Sequence, residues 1–162
     1  RFSATARTYR YIIDNRPYRP ALNCSGVSWF RQPLDEIAMD SAAQLFLGEQ
    51  DFSSFRAAGC QSNSPNRYVN HAKVWRQGDL VIFEIKANAF LYHMVRNVVS
   101  ALMEIGRGKK NSEWLQALLA KKDRTLAPST APPGGLYLVG VDYPASFLLP
   151  DLKPGPLLVS EG

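Results

Sequence analysis

The spacing of hydrophobic and polar residues predicts a sequence of strands and helices along most of the chain. Runs of aromatic and β-branched residues favour strands at 8–14, 27–32, 68–76, 80–87 and 136–143. In the first of these, strand alternation places Tyr9, Tyr11 and Ile13 on one face of the sheet and Arg10 on the other.

Helical periodicity separates these strands. Helices are predicted at 34–47, at 90–105 and after a cap at Ser112. In the first helix Asp35 and Glu36 suit the positive end of the helix dipole, and Gly48 suits a C-terminal stop. Its apolar stripe is expected to consist of Leu34, Ile37, Ala38, Ala42 and Leu45.

The second helix is apolar around most of its circumference, which is typical of a buried helix. One narrow polar stripe remains, formed by His93, Arg96, Asn97, Ser100 and Glu104. A charge in such a place is costly without a partner, so Arg96 needs an anion. That anion is either Glu104 or another carboxylate in a structural ion pair, or else a phosphate or a catalytic carboxylate. His93 by itself is more typical of a core histidine than of a catalyst.

The segments between these elements differ in composition. Residues 51–67 lack periodicity and are rich in Ser, Asn and Gly, which fits either a functional loop or a solvated one. Residues 77–79, Gln-Gly-Asp, indicate a hairpin, and residues 128–135 indicate a Pro/Gly-rich loop. The Pro-rich tail after residue 144 is expected to be loosely held. The pattern therefore predicts an α+β fold, with about three helices on one face of a mostly antiparallel sheet and the other face open to a ligand.

The 162 residues carry a formal net charge of +5, and its position matters more than its size. Residues 1–31 hold six arginines and one aspartate, whereas the remainder of the chain is neutral overall. Localised arginine is expected either at a nucleic-acid surface or on a solvated strand face. Tyr9 and Tyr11 beside Arg7 and Arg10 fit a sheet that stacks bases and holds phosphates, although tyrosines on strands also fill ordinary cores.

Other function classes find no support in the sequence. Cys24 and Cys60 lack metal-ligand spacing and are expected to be reduced thiols in a cytoplasmic protein. No phosphate loop, dinucleotide fingerprint, zinc motif or nucleophile elbow is present, so no metal or cofactor is predicted. No apolar stretch is long enough for a membrane span. Because the chain starts with Arg1, it is expected to be either a processed protein or a piece of a longer one.

Five segments together resemble the C-terminal half of the tRNA pseudouridine synthase A family. They are RFSATARTYRY (1–11), FLGEQDFSSFRAAGCQS (46–62), IKANAFLYHMVRN (85–97), AKKDRTLAP (120–128) and GGLYLVGVDYP (135–144). The match runs in order over about residues 1–150, which it implies are one C-terminal α+β domain followed by a Pro-rich tail at 151–162. It also implies two similar halves with the active cleft between them, part of it formed by this chain.

The resemblance further implies a reaction and roles for individual residues. The family isomerises uridine to pseudouridine on the 3′ side of the tRNA anticodon stem-loop, as a cytoplasmic homodimer without metal or organic cofactor. By motif position, Tyr9 resembles the tyrosine that stacks on the flipped uracil, Arg96 the arginine paired with the catalytic aspartate, and Leu136 the apolar floor of the base pocket. The tyrosine hydroxyl is also placed to help remove a proton. The positions that resemble tRNA-contacting loops are Arg1, Phe2, Gly59, Cys60, Gln61, Ser62 and Asn63.

One departure from the family pattern concerns the nucleophile. The family's nucleophilic aspartate lies in a GRTDAGVH-type motif of the N-terminal half, and no residue here matches it. Asp123 precedes Arg-Thr, but its KKDRTLAP setting is the C-terminal motif. The chain alone is therefore expected to be inactive. Two alternatives to the synthase function are a non-catalytic RNA-binding domain and a small-molecule-binding module unrelated to RNA.

Overall fold

In the computed structural model, which describes residues 2–22, 25–151, 153–156 and 159, six strands form one mixed sheet. The strands are β1 (Ala6–Asp14), β2 (Ser28–Trp29), β3 (Gly48–Asp51), β4 (Asn66–Gln77), β5 (Leu80–Ala87) and β6 (Leu136–Asp142). Their order is β2-β1-β5-β4-β3, and β6 pairs with β1 beside β2. The predicted α+β class is confirmed.

Strand β1 lies at the centre of the part of the sheet that carries the candidate residues. It runs antiparallel to β5 and β6 and parallel to the short β2. Tyr9 pairs with Ile85 on one side and with Leu138 on the other, and Tyr11 pairs with Leu136. Side chains opposite one another in a sheet point to the same face, so Leu136 and Tyr11 share the face of Tyr9.

The predicted hairpin and the predicted loop have different outcomes. Strands β4 and β5 meet at a tight turn in which Gly78 adopts a φ of 58°, as the Gln-Gly-Asp signal predicts. The predicted loop 51–67 overlaps two strands at its ends, since β3 ends at Asp51 and β4 starts at Asn66. These two strands pair with each other. Residues 52 and 55, both phenylalanine, are fully buried. The polar sequence of β3 hides this edge strand from pattern analysis.

Three helices cover one face of the sheet among the described residues, as predicted. They are α1 (Glu36–Ala43), α2 (Met94–Gly106) and α3 (Ser112–Lys121). The Asp35 carboxylate caps α1 by accepting from the N–H groups of Ile37 and Ala38 at 3.1 and 3.0 Å. The cap of α3 is Asn111, one residue before the predicted Ser112.

The buried side of α1 differs from the predicted stripe. Ile37 is 75% exposed, so it does not belong to the core. The helix also ends earlier than predicted and continues as a 3₁₀ turn from Gln44 to Phe46. Leu34 and Ala42 of the predicted stripe are buried, and Ala38 and Leu45 are partly buried against the core. Met39, Ala43 and Phe46 are buried in addition.

The opposite face of the sheet carries a second, smaller core. Ile12 and Ile82 are fully buried there and pack with Val27 and Val159. Because Val159 is 7% exposed, the C-terminal tail lies against the sheet at this point. The prediction of a loosely held tail is therefore wrong here, and this part of the sheet is not open to a ligand.

Arg10 lies on this same face and is buried rather than displayed. Its Nε atom donates to the Glu84 carboxylate at 2.6 Å, and its Nη1 atom donates to the Gly155 carbonyl oxygen at 3.2 Å. His71 shares the Glu84 carboxylate at 3.0 Å. Tyr11 is likewise fully buried, but on the helix-covered face. The predicted aromatic-plus-basic surface therefore does not form, because Tyr11 and Arg10 are buried on opposite sides of the sheet.

Two negative findings concern the described residues alone. None of their helices combines the length and the apolar content needed to cross a bilayer. No cluster of three or more His, Cys, Asp or Glu side chains among them could hold a metal ion.

Candidate functional site

A surface hollow of about 550 Å³ is lined by several of the candidate residues that the sequence predicts. Tyr9 lies on one side, and the loop from Gly59 to Ser62 lies on another. The turn before α2, at 90–93, completes the lining. Strand β1 and two distant loops thus converge on one concave surface.

Tyr9 presents a half-buried ring to this hollow. The Phe90 ring meets it edge to face, with centroids 5.0 Å apart and an interplanar angle of 85°. Such aromatic pairs contribute about 0.5–1.5 kcal/mol beyond their buried area, so Phe90 helps to fix the tyrosine ring. A braced ring of this kind provides a stacking surface for a flat ligand.

The turn at 90–93 replaces the first turn of the predicted helix, because α2 starts only at Met94. His93 adopts the left-handed conformation with a φ of 57°, so the right-handed helix cannot extend back through this residue. Its ring stacks on Tyr92 with centroids 3.9 Å apart. Burial lowers the pKa of His93, and the nearby Arg96 charge lowers it further. The histidine is therefore an uncharged wall of the hollow at neutral pH.

The loop at 59–63 is built on two arginines. Arg56 donates through Nη2 to the carbonyl oxygens of Cys60 and Ser62, at 3.1 and 2.6 Å. Arg67 donates to the Ser62 hydroxyl at 2.6 Å and to the Ser64 carbonyl oxygen at 2.9 Å. No carboxylate pairs with either arginine in the described part of the chain. The loop thus carries two positive charges under a surface of polar groups, which favours an anionic ligand.

The Cys60 thiol lies within this positive region. It accepts a hydrogen bond from the Tyr92 N–H at 3.4 Å, and this bond lowers the pKa of the thiol. The Arg56 guanidinium lowers the pKa further, against the opposing effect of burial. Cys60 is a free cysteine. Cys24, the other expected thiol, lies outside the described residues.

Arg96 lies three residues after His93, in the first turn of α2, which packs against β1. Its Nε atom donates to the Ala131 carbonyl oxygen at 2.7 Å. The side chain is half-buried, and no carboxylate among the described residues pairs with it. Glu104 pairs with Arg107 instead, at 3.4 Å, so the structural ion pair with Glu104 does not form.

The position of Arg96 is defined relative to the two faces of the sheet, one covered by helices and the other predicted to be open to a ligand. Helix α2 packs on the same face of the sheet as Tyr11. Burial raises the pKa of Tyr11, and the nearby Arg96 charge partly opposes that rise. Arg96 therefore does not point toward the opposite, supposedly open face of the sheet. Tyr9, Arg96 and Leu136 all lie on the helix-covered side, near the edge where β6 joins β1.

The remaining candidates are dispersed. Leu136 is half-buried at the start of β6 and packs against the main core. Neither Leu136 nor Arg96 lines the 550 Å³ hollow, and Asn63 lies just beyond its border. Phe2 is 96% exposed, away from the hollow. Arg1, the last tRNA-contacting candidate, lies outside the described residues.

Asp123 has a local structural role. Its carboxylate accepts from the Thr125 N–H at 2.9 Å and from the Thr125 hydroxyl at 2.6 Å, which caps a 3₁₀ turn from Arg124 to Leu126. These two bonds lower the pKa of Asp123, so it stays ionised at neutral pH. Asp123 thus caps its own turn, and the expectation that it is not the nucleophile stays a prediction.

Sequence reasoning missed the hydrogen-bond network behind Arg96. Asn97 is fully buried and accepts through Oδ1 from Thr130 and Arg124, at 2.7 and 3.1 Å. The Tyr11 hydroxyl donates to the Pro132 carbonyl oxygen at 2.7 Å. The polar stripe on α2 flags Asn97, but only the fold reveals that its partners come from the loop at 124–132.

Comparison with known proteins gives consistent results. Residues 42–144 match the family described as tRNA pseudouridine synthase. The chain is 56% identical over 161 residues to tRNA pseudouridine synthase A of Pectobacterium atrosepticum, covering 99% of this chain and 57% of that protein. The corresponding Vibrio cholerae protein is also 56% identical over 161 residues, which is 61% of its length. The Aeromonas salmonicida protein is 57% identical over 157 residues, covering 97% of this chain and 58% of that protein. The chain thus spans about three fifths of the length of these relatives.

Proposed function

The chain belongs to the tRNA pseudouridine synthase family, and on that premise we propose that the full-length protein isomerises uridine to pseudouridine in tRNA. The target is proposed to lie on the 3′ side of the anticodon stem-loop. Residues 1–150 supply the C-terminal half of the catalytic unit, and 151–162 form its tail. The observation that carries this proposal is Arg96, a half-buried cation that lacks a carboxylate partner within the described chain and lies one helical turn from the hollow.

The hollow and its border fit a flipped base. A target uridine has to leave its stack, at a cost of a few kcal/mol, before an enzyme reaches its glycosidic bond. Tyr9, braced by Phe90, offers a stacking face worth roughly 1–3 kcal/mol per base. Leu136 provides an apolar wall beyond the hollow, on the same face of the sheet.

Isomerisation moves the ribose C1′ from N1 to C5 of the same base, so the product has the composition of the substrate. N1 must gain a proton and C5 must lose one. We propose that an aspartate from the missing half is the nucleophile and that the Arg96 guanidinium pairs with it. A nearby cation lowers the pKa of a carboxyl group, and the ionised form is the nucleophile. The Tyr9 hydroxyl is proposed to help remove the C5 proton.

The basic loop supplies the complementary contacts to RNA. Gly59, Cys60, Gln61, Ser62 and Asn63 are proposed to contact the tRNA backbone, with Arg56 and Arg67 beneath them raising the local potential. Arg1 and Phe2 are proposed as a second contact. From the family resemblance, the full-length protein is also proposed to be a cytoplasmic homodimer that needs no metal or organic cofactor.

The proposal is tested by incubating the full-length protein with an unmodified tRNA transcript and mapping pseudouridine at nucleotide resolution. Pseudouridine confined to the 3′ side of the anticodon stem-loop supports it. Saturable, salt-dependent tRNA binding without product supports the alternative, a non-catalytic RNA-binding domain. The 162-residue chain, assayed in parallel, is expected to bind tRNA weakly and to form no product. Turnover by that chain alone would show that the nucleophile lies within it.

A further inference from the structure

The loop that leads into β6 is anchored on both sides of Ala131. On the upstream side the Thr130 hydroxyl donates to Asn97 Oδ1 at 2.7 Å. On the downstream side the Tyr11 hydroxyl donates to the Pro132 carbonyl oxygen at 2.7 Å. Consecutive residues fixed in this way leave the peptide group of Ala131 little freedom to move.

The upstream anchor is itself held rigidly. Asn97 is fully buried in α2, and its Nδ2 group donates to the Phe55 carbonyl oxygen at 2.8 Å. Its Oδ1 atom also accepts from Arg124 Nη2 at 3.1 Å, which fills both lone pairs of the amide oxygen. Arg124 donates in addition to the Pro128 carbonyl oxygen at 2.9 Å and to the Thr130 hydroxyl at 3.1 Å. Three side chains therefore form one closed network under the loop.

Ala131 connects this network to the candidate catalytic group. Its carbonyl oxygen accepts from Arg96 Nε at 2.7 Å, and its N–H faces the Arg96 carbonyl oxygen at 3.4 Å. A hydrogen bond at Nε restrains the orientation of the guanidinium, and the two terminal nitrogens keep an end-on pair of N–H groups free of that bond. Those nitrogens form the fork that grips a carboxylate with two parallel hydrogen bonds.

We infer that Asn97, Thr130 and Arg124 are positioning residues that set the orientation of the Arg96 guanidinium through the carbonyl oxygen of Ala131. This inference rests on the proposed function of Arg96. None of the three residues is proposed to touch substrate. They hold the Ala131 carbonyl oxygen in place, and this oxygen orients the Arg96 guanidinium. Misplacing a catalytic group by about 1 Å costs on the order of a hundredfold in rate.

The test uses Thr130→Val in the full-length protein, because this change removes the hydroxyl but keeps the shape of the side chain. Thr125→Val is the matched control, since among the described residues the Thr125 hydroxyl bonds to Asp123 and to no member of the network. Thr130→Val is expected to lower kcat about tenfold while KM for tRNA stays within about twofold, and Thr130→Ser is expected to restore kcat. Thr125→Val is expected to leave both constants within about twofold.

A double-mutant cycle separates positioning from general loss of structure. In an Arg96→Lys background the Nε donor is gone, so Thr130→Val should cost less than about twofold in the residual kcat. Arg124→Lys is a second, independent disruption of the network and should show the same selective fall in kcat. Additive losses with Arg96→Lys, or equal behaviour of Thr130→Val and Thr125→Val in an active enzyme, would overturn the inference. Absence of product with the unsubstituted protein would instead overturn the proposed function.

Discussion

Arg96 Nε donates a 2.7 Å hydrogen bond to the carbonyl oxygen of Ala131, which ties α2 to the loop that precedes β6. This bond satisfies one of the five donors of the guanidinium and leaves the terminal nitrogens for another partner. Since no carboxylate of the described chain supplies that partner, the fork is available to an acidic group from the rest of the protein.

Tyr9 is predicted to combine a stacking role with a role in proton transfer. In the full-length protein, Tyr9→Phe keeps the edge-to-face contact with Phe90 and should retain tRNA affinity while turnover falls. Tyr9→Leu removes the stacking face and should weaken binding as well, by roughly 1–3 kcal/mol. Affinity and single-turnover rates separate the two effects, and Tyr68→Phe on β4 serves as the control. Equal turnover by Tyr9→Phe and the unsubstituted protein would remove the proton-transfer role.

Arg10 is predicted to stabilise the fold rather than to bind RNA. Its side chain is 4% exposed and pairs with Glu84 at 2.6 Å, so Arg10→Met leaves a largely buried carboxylate without this partner. Loss of one member of a buried pair costs about 3–5 kcal/mol in the free energy of unfolding. Lys86→Met, which breaks a more exposed ion pair with Asp142, should cost less than about 1 kcal/mol.

Urea denaturation measures both free energies, and the salt dependence of tRNA affinity separates the two roles of Arg10. If Arg10→Met leaves stability unchanged but flattens the salt dependence, Arg10 is an RNA contact after all. A fall in stability with the salt dependence unchanged confirms the structural role.

Cys60 is predicted to react as a thiolate at lower pH than an ordinary cysteine. The Tyr92 N–H and the Arg56 guanidinium lower the pKa of its thiol, so the thiolate fraction rises at lower pH than it does for an unperturbed cysteine. Alkylation rates between about pH 6 and 9 in a Cys24→Ser background measure this directly. Arg56→Met should move the midpoint upward, and bound tRNA should slow alkylation. A midpoint at or above that of free cysteine would contradict the described loop geometry.

The sequence predicts much of the scaffold because local patterns dominate there. The β4–β5 hairpin follows from a short turn motif between two alternating strands, and α2 follows from a long apolar period. Strand β3 escapes prediction because it is a short, polar edge strand whose partner lies elsewhere in the chain. The start of α2 is misplaced because His93, in a left-handed conformation, breaks the helix without a glycine or proline to signal it.

The site is less predictable because it depends on which faces become covered. Alternation correctly separates Tyr11 from Arg10, but it does not reveal that both are buried. Arg10 loses its surface role because Glu84, far away in sequence, lies opposite it on β5 and the tail closes over the pair. The link from Asn97 to Arg96 through the loop at 124–132 is equally invisible to periodicity, since it joins residues about 30 positions apart.

Arg96→Met in the full-length protein gives the most direct test, with melting temperature, tRNA affinity and pseudouridine formation measured on the same preparation. A neutral side chain of similar length satisfies the packing of α2 but cannot pair with a carboxylate. We expect the melting temperature to change by only a few degrees, tRNA affinity to stay within about threefold and turnover to fall by about a hundredfold or more. Arg96→Lys should also lose most turnover, because an ammonium group lacks the two-pronged fork. If Arg96→Met unfolds the protein, or if it folds and keeps its turnover, Arg96 is a structural residue and its catalytic assignment is wrong.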